Sequence, residues 1–196
     1  YIDKLGYYCT ESSEHNAEYN PFYIKPGRQD LIEKFNIPLD EYPRRCINQI
    51  KGWAEEKANI LADGKITHTR SHEYASYIME AMETNKPYKI GGNVLNNGLI
   101  TNLPDDACVE VPCLVDGDGI NPCYMGEFPL QLAAMNSSNI FAQLLTIKAA
   151  ATLEKQYIYN AAIMDPLTGG ELSIKDIYAM VDELLEAHKD WLPEYH

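Results

Sequence analysis

Residues 86–126 read KPYKIGGNVLNNGLITNLPDDACVEVPCLVDGDGINPCYMG. The segment is rich in Val, Ile, Asn, Gly and Pro, the composition of short strands separated by turns. Asn97-Gly98, set between apolar residues, is a hairpin signal. Asp116 to Gly119 (DGDG) reads as a second turn; a calcium loop is not indicated, because the terminal Glu of that pattern is missing. In VEVP, Glu110 alternates with Val109 and Val111, so it faces solvent if the valines face inward.

Helical patterns lie on both sides of this segment. A helix is predicted from about Asp40, with Pro43 in its first turn. Ile47, Ile50, Trp53, Ala54, Ala58 and Leu61 recur at helical spacing there and predict a buried stripe, closed by ADGK at 62–65. A second helix is predicted over Ser71–Met82, with Tyr74, Ile78, Ala81 and Met82 inward. From Pro129 to Thr152 apolar and small residues occupy nearly every face, which predicts a central buried helix. LEKQYIYNAAIMD (153–165) reads as another, PLTGGELS (166–173) as a turn. Ser173 caps a final helix with Asp176 as its capping-box partner, and Ile174, Ile177, Val181, Leu184, Leu185 and His188 share one face. Helices, then small strands, then helices make an α+β fold, mostly helical with a small antiparallel sheet. No linker divides the chain, so residues 1–196 read as one domain.

The chain has 196 residues, 45% hydrophobic and 23% charged, an ordinary globular composition. Its net charge is 16 − 29 = −13, which disfavours nucleic acid and anionic membrane surfaces as partners. No run of about 18 apolar residues is present to span a bilayer. The five cysteines lack a Cys-x-x-Cys spacing, so buried reduced thiols in a cytoplasmic protein are expected. Tyr1 is not a translation start, and the chain reads as a mature product, a fragment or a cut piece.

The opening segment GYYCTESSEHNAEY (6–19) concentrates groups able to hold or move protons. Residues 1–26 read as loop, and loops carry function when rigid elements hold them. Tyr7 and Tyr8 are candidate general bases if a nearby cation lowers a phenol pKa from about 10. Glu11, Glu14 and Glu18 are candidate acids, bases or hydroxyl acceptors, and His15 a ligand or proton carrier. A solvated polar loop whose tyrosines pack on the core is the plain alternative. Zinc-protease, P-loop and dinucleotide fingerprints are absent.

GYYCTESSEHNAEYNPFYIK (6–25), KIGGNVLNNGLITNLPDDACVEVPCLVDGDGINP (89–122) and MVDELLEAHKDWLPEY (180–195) resemble, in order, segments of glycoside hydrolase family 4, above all its α-galactosidase-type members. The resemblance implies a fold similar to the C-terminal domain of lactate and malate dehydrogenases. It implies that this chain is a C-terminal substrate and oligomerisation domain, with a Rossmann domain upstream that holds NAD. Manganese and its Cys and His ligands would lie upstream too, leaving no cofactor or metal ligand in these 196 residues. The implied reaction oxidises the sugar at C3, removes the C2 proton, eliminates the glycosidic oxygen, adds water at C1 and returns the hydride, an exception to the two-carboxylate scheme.

Carried over residue by residue, the resemblance puts the catalytic base at Tyr8, with Tyr7 next and Glu11 and Glu14 as rivals. It makes Glu11, Glu14, His15, Asn93 and Asn97 substrate-binding candidates; many relatives carry Arg where Asn97 stands. The implied substrate is an α-galactoside, with α-glucosides and galacturonides as sister choices. Phosphorylated sugars fit less well, because Arg28, Arg44, Arg45 and Arg70 form no evident phosphate clamp. A cytoplasmic homodimer or homotetramer is expected. The reading from another class is a stand-alone, non-catalytic oligomerisation or interaction domain, with the Pro129–Thr152 helix and the last helix as its interface.

Overall fold

The computed structural model describes residues 1–63 and 68–196, so the predicted helix stop at Gly64-Lys65 lies outside the described residues. Its order is α1 (Ile2–Leu5), α2 (Ser13–Glu18), α3 (Gln29–Phe35), α4 (Glu41–Asp63), α5 (Ala75–Thr84), β1 (Tyr88–Leu95), β2 (Cys108–Asp116), β3 (Gly119–Pro122), α6 (Leu130–Thr152), α7 (Lys155–Met164), α8 (Pro166–Glu171) and α9 (Ile174–Ala187). This is the expected α+β arrangement, mostly helical around a small antiparallel sheet.

The sheet runs β1-β2-β3, each neighbour antiparallel. Ile90 lies opposite Cys113 and Gly92 opposite Val111. Strand alternation buries Ile90, Gly92, Val109, Val111, Cys113 and Val115 on one face and leaves Lys89, Asn93 and Glu110 on the other. The buried face packs under α5 through Ala81 and under α6 through Ala133 and Ile140. A Cβ on Gly92 would stand 2.6 Å from the Cys113 sulfur, so only glycine fits there.

The connection from β1 to β2 is not a tight hairpin. Asn97 and Gly98 do form a turn: both have positive φ (42° and 81°), and Leu99 N–H donates to the Asn96 carbonyl at 2.7 Å. The chain then continues to residue 107, wound around the Asn96 side chain. Asn96 is fully buried; its Nδ2 donates to the carbonyls of Ile100, Leu103 and Pro104 at 2.9, 3.0 and 3.0 Å, and its Oδ1 accepts from Ile100 N–H at 2.7 Å. Asn102 forms a second clasp, exchanging hydrogen bonds of 2.8 and 2.9 Å with the Phe128 backbone just before α6. The DGDG turn joins β2 to β3, with Asp116 Oδ1 accepting from Asp118 N–H at 3.0 Å.

A second core joins α7 and α9. Tyr159, Ile177 and Val181 are buried, and the rings of Tyr159 and Tyr178 stack 4.2 Å apart. The Tyr159 hydroxyl donates to Asp182, which also meets Lys155 at 3.0 Å. Burial, reinforced by the Asp182 carboxylate, raises the Tyr159 phenol above its ordinary pKa. Ser173 caps α9: its Oγ accepts from Asp176 N–H at 3.3 Å and donates to the Asp176 carboxylate at 2.6 Å. Ile174, Leu184 and His188, expected on the buried face, are exposed.

Other expectations change as well, and Tyr74 and Met82, expected inward, are exposed. Residues 1–26 contain the short helices α1 and α2, with Ser12 supplying the α2 cap. PLTGGE is the helix α8, started by Asp165 and by Pro166 in its first turn. The stripe on α4 is exposed rather than buried: Ile50 is 74% and Leu61 75% accessible. The helix α6 buries only Ala133, Ile140 and Ala149, while Phe141 and Ile147 face solvent. Periodicity marks a face that needs a partner; it does not say which partner.

Asn96→Ala removes a donor from three carbonyls, of which those of Ile100 and Pro104 keep the N–H groups of Leu103 and Ala107, and leaves the Leu103 carbonyl and Ile100 N–H without their Asn96 partner; it is expected to cost about 2 kcal/mol in urea denaturation with an unchanged m-value. A loss below about 0.5 kcal/mol would mean that the clasp is dispensable.

Candidate functional site

An open cavity of about 550 Å³ lies between the opening segment and the middle of α6. The opening segment contributes Tyr1, Tyr7, Tyr8, Glu11, Tyr19 and Asn20, and α6 contributes Asn136, Ser138 and Asn139. Leu5, Phe22, Leu132 and Met135 add apolar surface. Glu11 is the one charged residue among these walls. Phenols, amides and a hydroxyl over apolar patches suit a neutral polyhydroxylated ligand.

The opening segment is held by backbone contacts from α6. Asn139 Nδ2 donates to the Tyr19 carbonyl at 2.9 Å, and Gln131 Nε2 to the Leu5 carbonyl at 3.1 Å. Within the segment, buried Asn20 donates to the Tyr1 hydroxyl at 3.1 Å and to the Asn16 carbonyl, while its Oδ1 accepts from Phe22 N–H at 3.1 Å. The Tyr1 ring meets Tyr23 edge-on at 6.3 Å. Burial, with the neighbouring Tyr23, pushes the Tyr1 phenol well above its usual range, so Tyr1 stays protonated.

The sequence candidates divide in two. Tyr7, Tyr8 and Glu11 line the cavity, and Tyr8, 76% accessible, reaches furthest into solvent. Glu14 and His15 lie on α2 outside the lining. The turn of that helix carries His15 back over Tyr19, ring centres 6.3 Å apart, and sets its Nδ1 3.0 Å from the Glu18 carboxylate. Glu14 lies 4.0 Å from Arg45 of α4. Asn93 is on the outer face of the sheet opposite Glu110, and Asn97 is in the β1–β2 turn; neither borders the cavity, because strand alternation turns Asn93 outward. Asn20, Asn136 and Asn139 were not singled out in the sequence. For Asn136 and Asn139 the signal is the polar run NSSN (136–139) inside an otherwise apolar helix.

Glu14, His15 and Glu18 each offer a ligand atom within 4.8 Å of the others, but all three lie outside the cavity walls, and exposed acidic groups adopt such spacings without a metal. All five cysteines are unpaired. Among the described residues no helix is long and apolar enough to cross a membrane.

The fold defines the class. The Bacillus subtilis protein lplD superposes on 94% of this chain with a TM-score of 0.81 at 20% identity, using 41% of its own length. A 6-phospho-alpha-glucosidase from gut microorganisms, solved with NAD and Mn2+, covers 78% of this chain and 36% of its own with a TM-score of 0.67 at 23% identity. At these identities the likeness is one of fold, shared with about two fifths of each of those chains.

Residues 1–168 match the family 4 glycosyl hydrolase C-terminal domain, and the chain belongs to that family. It is 58% identical to an alpha-galactosidase of Bacillus subtilis over 99% of its length and 45% of the relative's. With an alpha-galactosidase of Rhizobium meliloti it shares 36% identity over 99% of its length and 41% of the relative's. The chain thus spans less than half the length of these curated relatives.

The Glu18 carboxylate, first by its hydrogen bond and then by its charge, raises the His15 pKa above its ordinary value. While the Glu18 carboxylate is ionised, the ion pair's contribution is therefore present below about pH 6.5 and is lost as pH rises through the elevated value. In an NMR titration Glu18→Gln is expected to move the His15 midpoint down; an unmoved midpoint would show that the pair is not formed in solution.

Proposed function

We propose that this chain is the sugar-facing wall of the active site in a family 4 α-galactosidase, preceded in the longer protein by an NAD-binding Rossmann domain. The single observation that carries this reading is 58% identity with an alpha-galactosidase along nearly the whole chain. The cavity supports it independently: it joins proton-carrying groups of the opening segment to amides of α6.

In this reading Tyr8 is the base that takes the C2 proton of the sugar. Its hydroxyl is accessible and borders the cavity, so a bound ring can reach it. Tyr7 and Glu11 flank it and accept hydrogen bonds from sugar hydroxyls. Asn136 and Asn139 orient the ring from the opposite side, and Met135 and Phe22 exclude water from its apolar face. Asn93 and Asn97 are left without a role here, since they lie away from the cavity.

NAD and manganese do not fit these walls. No Lys or Arg lines the cavity to meet a pyrophosphate, and the Glu14–His15–Glu18 group lies outside it. Both are assigned to the preceding part of the protein, and no step is routed through them. The same wall charge bears on substrate choice. A 6-phosphate or a uronate would face Glu11 without a cation beside it, so a neutral galactoside fits better than the substrates that name the more distant maltose-6'-phosphate glucosidase and alpha-galacturonidase relatives. The unpaired thiols accord with a cytoplasmic enzyme, and a homodimer or homotetramer completes the proposal.

Tyr8→Phe in the full-length enzyme is expected to abolish deuterium uptake at sugar C2 from D2O and to lower kcat by about a hundredfold or more, with Tyr7→Phe retaining exchange. Unchanged exchange removes Tyr8 from the role. On the intact wild-type protein, kcat/KM for an α-galactoside should exceed that for the 6-phosphate and the galacturonide; the reverse order overturns the substrate assignment.

A further inference from the structure

The polar groups that α6 gives to the cavity already have hydrogen-bond commitments. Three polar side chains of that helix border the space: Asn136, Ser138 and Asn139. Each turns a donor to a backbone carbonyl. Asn136 Nδ2 donates to the Leu132 carbonyl at 2.9 Å, Ser138 Oγ to the Met135 carbonyl at 2.7 Å, and Asn139 Nδ2 to the Tyr19 carbonyl at 2.9 Å. A carbonyl can only accept, so the partners fix the direction of all three bonds.

The three side chains are left with different capacities. An amide NH2 has two protons, so Asn136 and Asn139 each keep an N–H as well as an oxygen for a ligand. A serine hydroxyl has one proton. With that proton given to Met135, Ser138 Oγ retains only lone pairs. It can accept and cannot donate without breaking its helix contact. The opening segment answers with another acceptor: Glu11 Oε1 takes the Ser12 N–H at 3.0 Å, and Oε2 is left for a ligand. Asn139, next to Ser138 in the chain, bonds the opening segment at Tyr19, so the separation of the two walls is set beside Ser138.

We propose, on the reading of the cavity as a sugar site, that Ser138 is a specificity-determining residue whose Oγ accepts a hydrogen bond from a sugar hydroxyl on the ring edge remote from C2. With Tyr8 at C2 on one wall, the ring atoms turned to the other wall are C5, opposite C2, and its neighbour C4. The groups they carry are the 6-hydroxyl and the 4-hydroxyl. Because Ser138 has no proton to offer, the ligand group that meets it must bring one. A hydroxyl does so; an ether, a fluorine or an ionised carboxylate does not. A uronate carboxylate would set acceptor against acceptor, which disfavours it by hydrogen-bond polarity as well as by charge. An analogue that leaves such an acceptor unmatched is rejected even when it fits in size.

The test is calorimetric binding to the intact full-length holoenzyme. The probes are free galactose, which has no glycosidic bond to cleave, and its 4- and 6-deoxy and 4- and 6-deoxyfluoro analogues. At one of the two positions the fluoro analogue is expected to bind about tenfold more weakly than galactose and no better than the deoxy sugar. In Ser138→Ala that penalty should shrink to about twofold or less, and Ser138→Thr, which keeps a hydroxyl, should restore it. Alanine suits a helix, and circular dichroism checks that the fold is kept. A fluorine tolerated at both positions overturns the proposal, as does a penalty that survives Ser138→Ala. Galactose bound without a fluorine penalty counts against Ser138 alone. A holoenzyme that binds none of the five sugars overturns the galactoside reading and the role of Ser138 with it.

Discussion

The side-chain amide of Asn96 is the constraint on which the sheet and the cavity both depend. A connection as long as residues 96–107 brings several backbone carbonyls into a buried space, where each needs a donor. One amide satisfies three of them and returns its own oxygen to Ile100 N–H. The loop so closed delivers β2 in register with β1 and presents Asn102, which clasps Phe128. That second clasp sets where α6 begins, and the start of α6 fixes which of its turns faces the opening segment. A buried asparagine in a connection thus governs, through two hydrogen-bonded steps, the placement of Asn136 and Asn139.

The cavity is assembled from segments more than a hundred positions apart in the chain, joined by hydrogen bonds at both ends: Gln131 to Leu5 and Asn139 to Tyr19. These bonds end on backbone carbonyls, so the opening segment is positioned as a unit while Tyr7, Tyr8 and Glu11 remain accessible. Such a division of labour, with a rigid helix behind a polar loop, is how loops carry chemistry without losing geometry. Glu11 is the single charged side chain among the described cavity walls.

The helix α4 keeps an apolar stripe at the surface, with Ile50 and Leu61 74% and 75% accessible. Arg45 of α4 lies 4.0 Å from Glu14 of α2, outside the cavity walls.

Much of this protein was legible in its residues. The Val, Ile, Asn, Gly and Pro composition of 86–126 and its turn signals foretold the small antiparallel sheet, and Ser173 with Asp176 foretold the start of α9, because turn chemistry and helix capping are local. Asn97-Gly98 foretold its turn for the same reason, since positive φ is a property of the residues themselves. The opening segment pointed to Tyr7, Tyr8, Glu11, Glu14, His15 and Glu18 as proton-carrying groups; of these Tyr7, Tyr8 and Glu11 share a cavity wall, and the other three lie outside it. Burial was not legible: α4 and α6 both carry apolar residues, yet the stripe of α4 is bare and α6 buries only Ala133, Ile140 and Ala149, because a hydrophobic face records a need for contact and not the identity of what meets it. The separation of Asn93 and Asn97 from the cavity, and the entry of Asn20, Asn136 and Asn139 into it, were decided only by tertiary structure. Those placements depend on which hydrogen bonds close between distant segments, and no local periodicity encodes that choice.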